Sequence, residues 1–467
     1  MSAENPYDQI PYLTFPRLMT HPDRLAAVAT LLGMEPAPVT RCRVLEVGCG
    51  DGSNLIPMAF GLPQSEFTGI DLAAEPIAAG RVVIRDLELH NASLEQADLV
   101  EYGRDGAEFD YIIAHGVYSW VPPAVRDGLL ELCRRCLSPA GVAFISYNAY
   151  PGRHFRQMVR EMLLYHCRDV SGPHERTQAA RGFLQFLAEK RSVTPEWQAV
   201  VDKELGQLLE RHEGNICHDE LADFNQPVYF REFAAHAGAH GLQYLGEGEP
   251  NEMFDPRNVV GWVRGGVIER EQYMDFVRLR SFRQTLLCRE DVVVDRRPGV
   301  ERMERLLFSA PLTETEDGLI EGLRRVRITA LQGAVKQVAS ALGEMYPLPL
   351  SFEELLPYAG NRESARDILY GLMLGGYADI HVHNFPCEDS VTVRPKASRL
   401  ARYQAAKSVY VTTAMQHVLK LDETTRRMIG LLDGTRDHAA LAAELGESAE
   451  AVQSALEWLA RMAVLEA

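Results

Sequence analysis

The stretch Val44-Leu-Glu46-Val-Gly48-Cys-Gly50-Asp-Gly52-Ser-Asn54 constrains this chain more than any other. Three glycines at alternate positions close an apolar run and open a helical one, the outline of the first strand-to-helix turn of a doubly wound α/β sheet. Glycines there let backbone approach a ligand where any Cβ would collide. A Gly-rich turn alone serves several cofactors, and two acids narrow the choice. Glu46 stands inside the strand, where a pyrophosphate held at the following helix N-terminus would be repelled. S-adenosylmethionine has no phosphate, and its ammonium and sulfonium are cations that a carboxylate accommodates. Asp71 ends the run Phe67 to Ile70, about 20 residues past the glycines, where an acid reaches ribose hydroxyls. The combination points to a methyltransferase rather than a nicotinamide dehydrogenase.

From Arg43 to Tyr147, short apolar runs alternate with longer helical ones. Strands are expected at Val44–Val47, Phe67–Ile70, within Ala92–Glu95, at Asp110–Ala114 and at Gly141–Ser146. Helices are expected at Leu55–Phe60, Ile77–Leu89 and Val125–Leu137. Near-continuous apolar strands are buried on both faces, so a parallel sheet is expected. After Tyr150, Phe155 to about Arg211 reads as helices broken near Gly172-Pro173 and Thr194-Pro195. Tyr229–Gly241 reads as an amphipathic helix with a glycine cap. Leu242–Leu245 and Phe282–Cys288 are the expected sixth and seventh strands. Helices inserted over the ligand edge would make a substrate lid.

Beyond about Asp291 a different pattern appears twice, at an offset of about 86 residues. Phe352–Gly360 leads to a helix at Ala365–Leu374 and a strand at Tyr377–Val382. Ala439–Gly446 leads to a helix at Ala449–Met462 and the pair Val464-Leu465. Leu355 falls on Leu441, Gly360 on Gly446 and Met373 on Leu459. Short helix, glycine turn, longer helix and strand outline a winged helix, with Val391–Arg394 completing the first wing. Charge argues against nucleic acid: from Gly430 to Ala467, seven acidic residues face two Arg, and neither copy offers a basic face. The net charge of -17 extends that argument to the whole chain and suits neutral or cationic substrates.

No apolar run is long enough to span a bilayer, and no signal peptide is read at the N-terminus. The eight cysteines are scattered, with one CxxC at Cys133 and Cys136 on a helical pattern. A reduced, cytoplasmic protein is expected. The histidines, His381 and His383 included, show no partners at metal spacing, so no metal is expected.

Val44–Asn54, with Asp71-Leu72, Asp98-Leu99 and Ala114-His115, resembles the successive motifs of class I methyltransferases. Thr20–Leu25, Ile113–Pro122, Asn225–Phe230 and Phe282–Arg289 are similar more narrowly to the bacterial protein-lysine methyltransferase family, and the resemblance spans essentially the whole chain. It implies a Rossmann-like seven-stranded methyltransferase domain over 1–290, with a helical insertion at about 153–225 and a regulatory segment at about 225–290. Winged-helix-like domains would follow at 291–398 and 399–467. It implies that Glu46, Gly48 and Gly50 line the methionine part of the cofactor. Asp71 would bind ribose, Leu72 would pack on adenine, Asp98 would accept from the adenine amino group, and Leu99 would offer its backbone amide. His115 would stand where the sulfonium meets the acceptor. The acceptor implied is a protein presenting lysines, with outer-membrane proteins the best-known case in the family; a homodimer is left open. An Asn/Asp-Pro-Pro-aromatic element common after the fourth strand of amino methyltransferases is absent: His115–Trp120 stands in its place, and Asn148-Ala-Tyr-Pro151 follows the fifth strand.

Methyl transfer is an in-line displacement on an activated carbon, so the protein mainly aligns the partners and leaves an amine neutral. A lysine titrates near pH 10.4 and must lose a proton first. Tyr118 and Trp120 after the fourth strand, with Tyr147, Asn148 and Tyr150 at the fifth, are the expected groups at the acceptor. Their rings would also stabilise a methylammonium. Two alternatives remain at this point: a small-molecule methyltransferase with a closed pocket, and a non-catalytic S-adenosylmethionine-binding interaction protein.

Overall fold

The computed structural model describes residues 6–10, 12, 14–190, 194–253, 255, 258, 260–296, 300–314, 320–321, 327–328, 332–387 and 390–466. One sheet holds seven strands: β1 (Arg43–Val47), β2 (Glu66–Asp71), β3 (Ala92–Gln96), β4 (Phe109–Ala114), β5 (Leu137–Asn148), β6 (Leu242–Glu247) and β7 (Phe282–Arg289). Their order is β3-β2-β1-β4-β5-β7-β6. Pairing from β3 to β5 is parallel. β7 runs antiparallel to both β5 and β6. The sheet is therefore mixed, which corrects the expectation of an all-parallel sheet. A continuous apolar run reports burial of both faces and carries no information on direction.

Both faces are packed. Val44, Tyr111, Ile113, Val142 and Phe144 face one apolar cluster. Their chain neighbours Leu45, Ile112, Ala143 and Ile145 face another. That period-two division is what buried strands require. The strand order turns outward in opposite directions from β1 and β4, which opens a crevice at their carboxyl ends. The inserted helices Arg153–His166, Pro173–Lys190 and Pro195–Leu209 have their own small core around Leu163, Leu184 and Leu208.

After β7 come two similar units. In the middle one, Leu350–Ser351, Leu307–Ser309 and Asp379–His381 form a three-stranded sheet beside the helices Phe352–Ala359 and Arg362–Leu374. Ser351 and Glu354 make a capping box, and Gly360, at φ +86°, ends the first helix. In the last unit the helices His438–Leu445 and Ala449–Arg461 are capped by Asp437 and Ser448, and Gly446 supplies the left-handed turn. Leu355, Leu441, Met373 and Leu459 are all buried, as the repeat requires. Val391–Arg394 forms no strand, which corrects the expected wing. Asp379–His381 pairs instead with Leu307–Ser309, an upstream strand whose Phe308 is fully buried, whereas Val393 is left exposed. Lys396 and Ala397 bridge to Asp433 and Leu465, so the last unit gathers its strand partners from just before residue 399. Residues 315–319, 322–326 and 329–331 of the expected middle domain lie outside the described residues.

All eight cysteines are buried, and Cys42, Cys49, Cys133, Cys136, Cys167, Cys217 and Cys288 are unpaired. Among the described residues, no helix is long and apolar enough to cross a membrane.

Candidate active site

The crevice at the ends of β1 and β4 is a cavity of about 1370 Å³. The glycine loop forms one wall. Gly48, Gly50 and Gly52 have φ of +71°, +55° and +74°. A Cβ at Gly48 would lie 2.7 Å from Val117, whereas one at Gly50 would meet open space. Gly50 donates its backbone N–H to Asp71 Oδ2 at 2.9 Å, and Ala73 donates to Asp71 Oδ1 at 2.9 Å. The acid that ends β2 therefore braces the loop that follows β1.

Glu46 is 4% exposed and lines this wall. Its Oε1 accepts from Asn54 Nδ2 at 2.8 Å. Its Oε2 is buried with no hydrogen-bond partner. Burial pushes its carboxyl up to about 8; the Asn54 amide opposes the shift, and nearby Asp51 and Asp71 add to it. An orphaned acid oxygen among other acids wants a cation. The ammonium of S-adenosylmethionine is such a cation, so the residues present fit the group.

Leu72 and Leu99 line the cavity, and Leu72 is 60% exposed, an apolar platform open to a ligand. Asp98 is not part of the lining: its Oδ1 accepts from Val100 N–H at 2.9 Å, capping the turn after β3. His115 does line it, with Nδ1 3.1 Å from Ser146 Oγ. Burial, with Arg17 adding to it, holds His115 down to about 3, so it is neutral.

Of the five expected acceptor groups, Trp120 and Asn148 reach the cavity, and the Trp120 indole N–H is buried without a partner. The structure does not bring Tyr118, Tyr147 or Tyr150 there, and Tyr150 stacks on His154 at 4.1 Å. Tyr147 stacks on Phe233 at 4.1 Å and bonds Thr285 Oγ1 at 3.0 Å. Tyr118 packs edge-on against the same Phe233 and lies 2.8 Å from His236 Nδ1. Strand alternation turns Tyr147 to the opposite face and gives its neighbour Asn148 to the cavity. His236 also pairs with Asp127 at 2.7 Å, and Asp127, His236 and His240 bring three candidate ligand atoms within 4.8 Å of one another. Spacing in the sequence had not joined these residues, because Asp127 lies on a different helix.

Sequence reasoning missed the far wall. Tyr12, from the N-terminal segment, donates its hydroxyl to Asp219 Oδ1 at 3.2 Å. Arg211 reaches Asp219 Oδ2 at 2.7 Å. The backbone carbonyl of Asp219 accepts from Asn225, whose Oδ1 accepts from Asn148 at 2.8 Å. Asp219 sits in the π-helical turn Ile216–Glu220, a geometry often found at functional sites. Burial raises its carboxyl to about 6, with Arg211 pulling the other way and Glu220 adding to the rise. Thr14 bonds Asp51 at 3.0 Å and Tyr7 stacks on His218 at 3.9 Å, so the N-terminal segment roofs the cavity. Asn225 falls in a family-like stretch, which was the one signal in the sequence for this wall.

Comparison with known proteins agrees with the geometry. A methyltransferase domain model matches residues 45–143, a predicted methyltransferase regulatory domain matches 213–289, and the PKMT C-terminal winged helix domain matches 394–461. The uncharacterised Rickettsia prowazekii protein RP789 is 31% identical over 474 residues, covering 94% of this chain and 85% of that protein. PKMT2 from Rickettsia typhi in complex with AdoHcy superposes with a TM-score of 0.86 at 25% identity, over 97% of this chain and 100% of that one. This chain belongs to the bacterial protein-lysine methyltransferase family. As a member of that family it is an S-adenosylmethionine-dependent methyltransferase, with a Rossmann-like fold and a C-terminal winged helix. A second Rickettsia prowazekii relative, RP028, is 34% identical over 230 residues, 49% of this chain and 91% of that protein. Proteins of the family's kind act on protein substrates.

Proposed function

We propose that this enzyme methylates lysine side chains of protein substrates, with the cofactor at the glycine wall and the lysine at the Asp219 wall. The observation that carries this is one cavity with an unpartnered Glu46 oxygen at one side and the Tyr12–Asp219 pair at the other. S-adenosylmethionine supplies a methyl carbon already activated by its sulfonium. Glu46 faces the cofactor's ammonium, Gly48 and Gly50 line its methionine part, and Asp71 takes the ribose hydroxyls. Leu72 packs on adenine and the Leu99 amide meets its edge. Asp98 acts on adenine through the turn it caps, and His115 stands beside the sulfonium as a neutral group. Transfer forms one N–C bond, breaks one C–S bond and releases one proton, and the protein's task is the proton. Asp219, charged above about pH 6, attracts the lysine ammonium and gives that proton a destination beside Tyr12. The Trp120 ring favours the methylammonium formed. Residues 1–290 are taken as the catalytic domain, with 291–398 and 399–467 as the two appended domains. Buried free thiols support a reducing cytoplasmic setting, and outer-membrane proteins before export are the acceptors we favour.

The test is methyl transfer from radiolabelled S-adenosylmethionine to a bacterial lysate split into protein and small-molecule fractions. Label should appear on protein, and should fall at least tenfold with Asp219→Asn at unchanged cofactor affinity. Label confined to small molecules would overturn the acceptor assignment.

A further inference from the structure

The last unit reaches into the cofactor site through one side chain. Gln416 lies in the turn between Tyr410–Thr412 and Val418–Lys420 and is 3% exposed. Its Nε2 donates to the backbone carbonyl of Asn54 at 2.9 Å, across 362 residues of sequence. Asn54 closes the glycine loop and precedes the helix Leu55–Gly61. It is held from several sides: Nδ2 donates to Glu46 Oε1 at 2.8 Å, and Oδ1 accepts from the Arg17 backbone N–H at 2.8 Å. Thr20 Oγ1 completes the set, 3.2 Å from Oδ1.

The turn is built for this contact. Gln416 has φ +63°, a left-handed conformation that a residue with a Cβ adopts only when its surroundings impose it. Gln416 N–H donates to the Thr413 carbonyl at 3.0 Å, and Thr413 N–H to the His417 carbonyl at 2.9 Å, which fixes that conformation. Further contacts bring the same unit against the site. Tyr410 packs edge-on against Phe15, a residue of the cavity lining, at 5.1 Å. Arg399 bonds Glu88 at 2.7 Å and the Leu87 carbonyl, and Tyr403 bonds Asp86 at 3.1 Å. These acceptors lie at the end of the helix Ala74–Asp86, which leads away from Asp71.

We propose that Gln416 is a positioning residue for the cofactor. By holding the Asn54 carbonyl it keeps the Asn54 amide on Glu46 Oε1, which leaves Glu46 Oε2 directed at the methionine ammonium. The winged-helix-like unit is on this view a wall of the cofactor site, and whatever binds that unit alters cofactor affinity by the same factor that the cofactor alters its binding. The inference rests on the reading of Glu46 as the ammonium partner.

Gln416→Gly is the informative variant, because glycine takes φ +63° without strain and removes the donor. Calorimetry on the full chain with S-adenosylmethionine should show affinity about five- to tenfold weaker, the effect of one lost hydrogen bond of about 1 kcal/mol. KM for the cofactor should rise by the same factor with kcat at saturation retained and the melting temperature unchanged or higher. Gln416→Glu, which turns an oxygen toward the Asn54 carbonyl, should weaken binding further. Glu46→Gln is measured alongside. If it weakens binding and both Gln416 variants bind as the parent does, the coupling is wrong and the Glu46 reading stands. If neither Glu46→Gln nor Gln416→Gly changes affinity, the Glu46 reading fails first. A Gln416→Gly loss that tracks a falling melting temperature would reduce the contact to general stability and overturn the proposal.

Discussion

The middle and last units share a pattern, down to Leu355 matching Leu441 and Gly360 matching Gly446, yet they join the catalytic sheet in opposite ways. The middle unit is fused to it. Phe308, Leu355, Leu369 and Ile380 belong to the same apolar cluster as Val44 and Tyr111, with the wholly buried helix Pro22–Leu31 between them. Buried polar groups pin that helix: Asp23 pairs with His381 at 2.7 Å and accepts from Val382 N–H at 2.7 Å, and Arg24 pairs with Asp379. The last unit closes its own core around Leu441, Leu456 and Leu459 and touches the rest mainly by edges and side chains. One scaffold thus serves once as an extension of the core and once as a clamp on a loop. A shared shape does not settle how a unit is used.

The largest effect should come from the fused side. Phe308→Ala removes a fully buried ring from the shared cluster and should cost about 3 to 5 kcal/mol. Because the cluster is continuous, denaturant unfolding should lose the sheet and the middle unit in one transition; two separated transitions would break the comparison.

Acid should loosen the two attachments through different groups. Burial holds His21 down to about 4, so the folded chain keeps it neutral where the unfolded chain, near 6.5, protonates it. Stability from this group is full above pH 6.5 and is lost as pH falls toward 4, on the order of 2 to 3 kcal/mol. Denaturation midpoints at pH 7.5, 5.5 and 4.5 measure it, and a flat series would remove His21 from the account. The clamp side should respond as affinity. Glu46, raised to about 8 in the free site, must give up its proton to hold an ammonium. Cofactor binding should therefore weaken as pH drops from 8 to 6 and release a proton, which calorimetry in two buffers of different ionisation heat detects. Glu46→Gln should cost about tenfold in affinity, or about 1.4 kcal/mol, and abolish that release.

Arg399→Ala should do least. Its partner Glu88 is largely exposed and Arg399 itself is nearly half exposed, so the pair contributes at most about 1 kcal/mol and less in salt. A cost of several kcal/mol in thermal unfolding would show the last unit to be fused as firmly as the middle one.

How far the sequence carried this picture follows from what each signal encodes. Strands buried on both faces are written as apolar runs and were legible as such; β3, with Leu94 as its single buried residue, was placed only somewhere within Ala92–Glu95. Strand direction is not written in such runs, and β7 came out reversed. The repeat was legible because cap residues and core positions recur at one offset. The wing at Val391–Arg394 was not, because the strand that displaced it lies far upstream. At the site, Glu46, the glycines and Asp71 are close in sequence and were read together. Tyr12, Arg211 and Asp219 meet from three distant segments and carry no mutual spacing. Tyr118 and Tyr147 were named for lying near strand ends; the alternation of side chains took Tyr147 to the other face, and Tyr118, in the 3-10 turn Tyr118–Trp120, packs on the same Phe233.

The buried thiols turn this architecture into its own reporter. Residues 399–467 contain no cysteine, but Cys387 of the middle unit is packed in a small cluster with Met415 and Ala463 of the last one. Lifting the clamp uncovers that sulfur while the fused core keeps Cys42 and Cys288 shut away. An alkylating reagent followed by mass mapping should therefore mark Cys387 ahead of those two, and more slowly once the cofactor is bound.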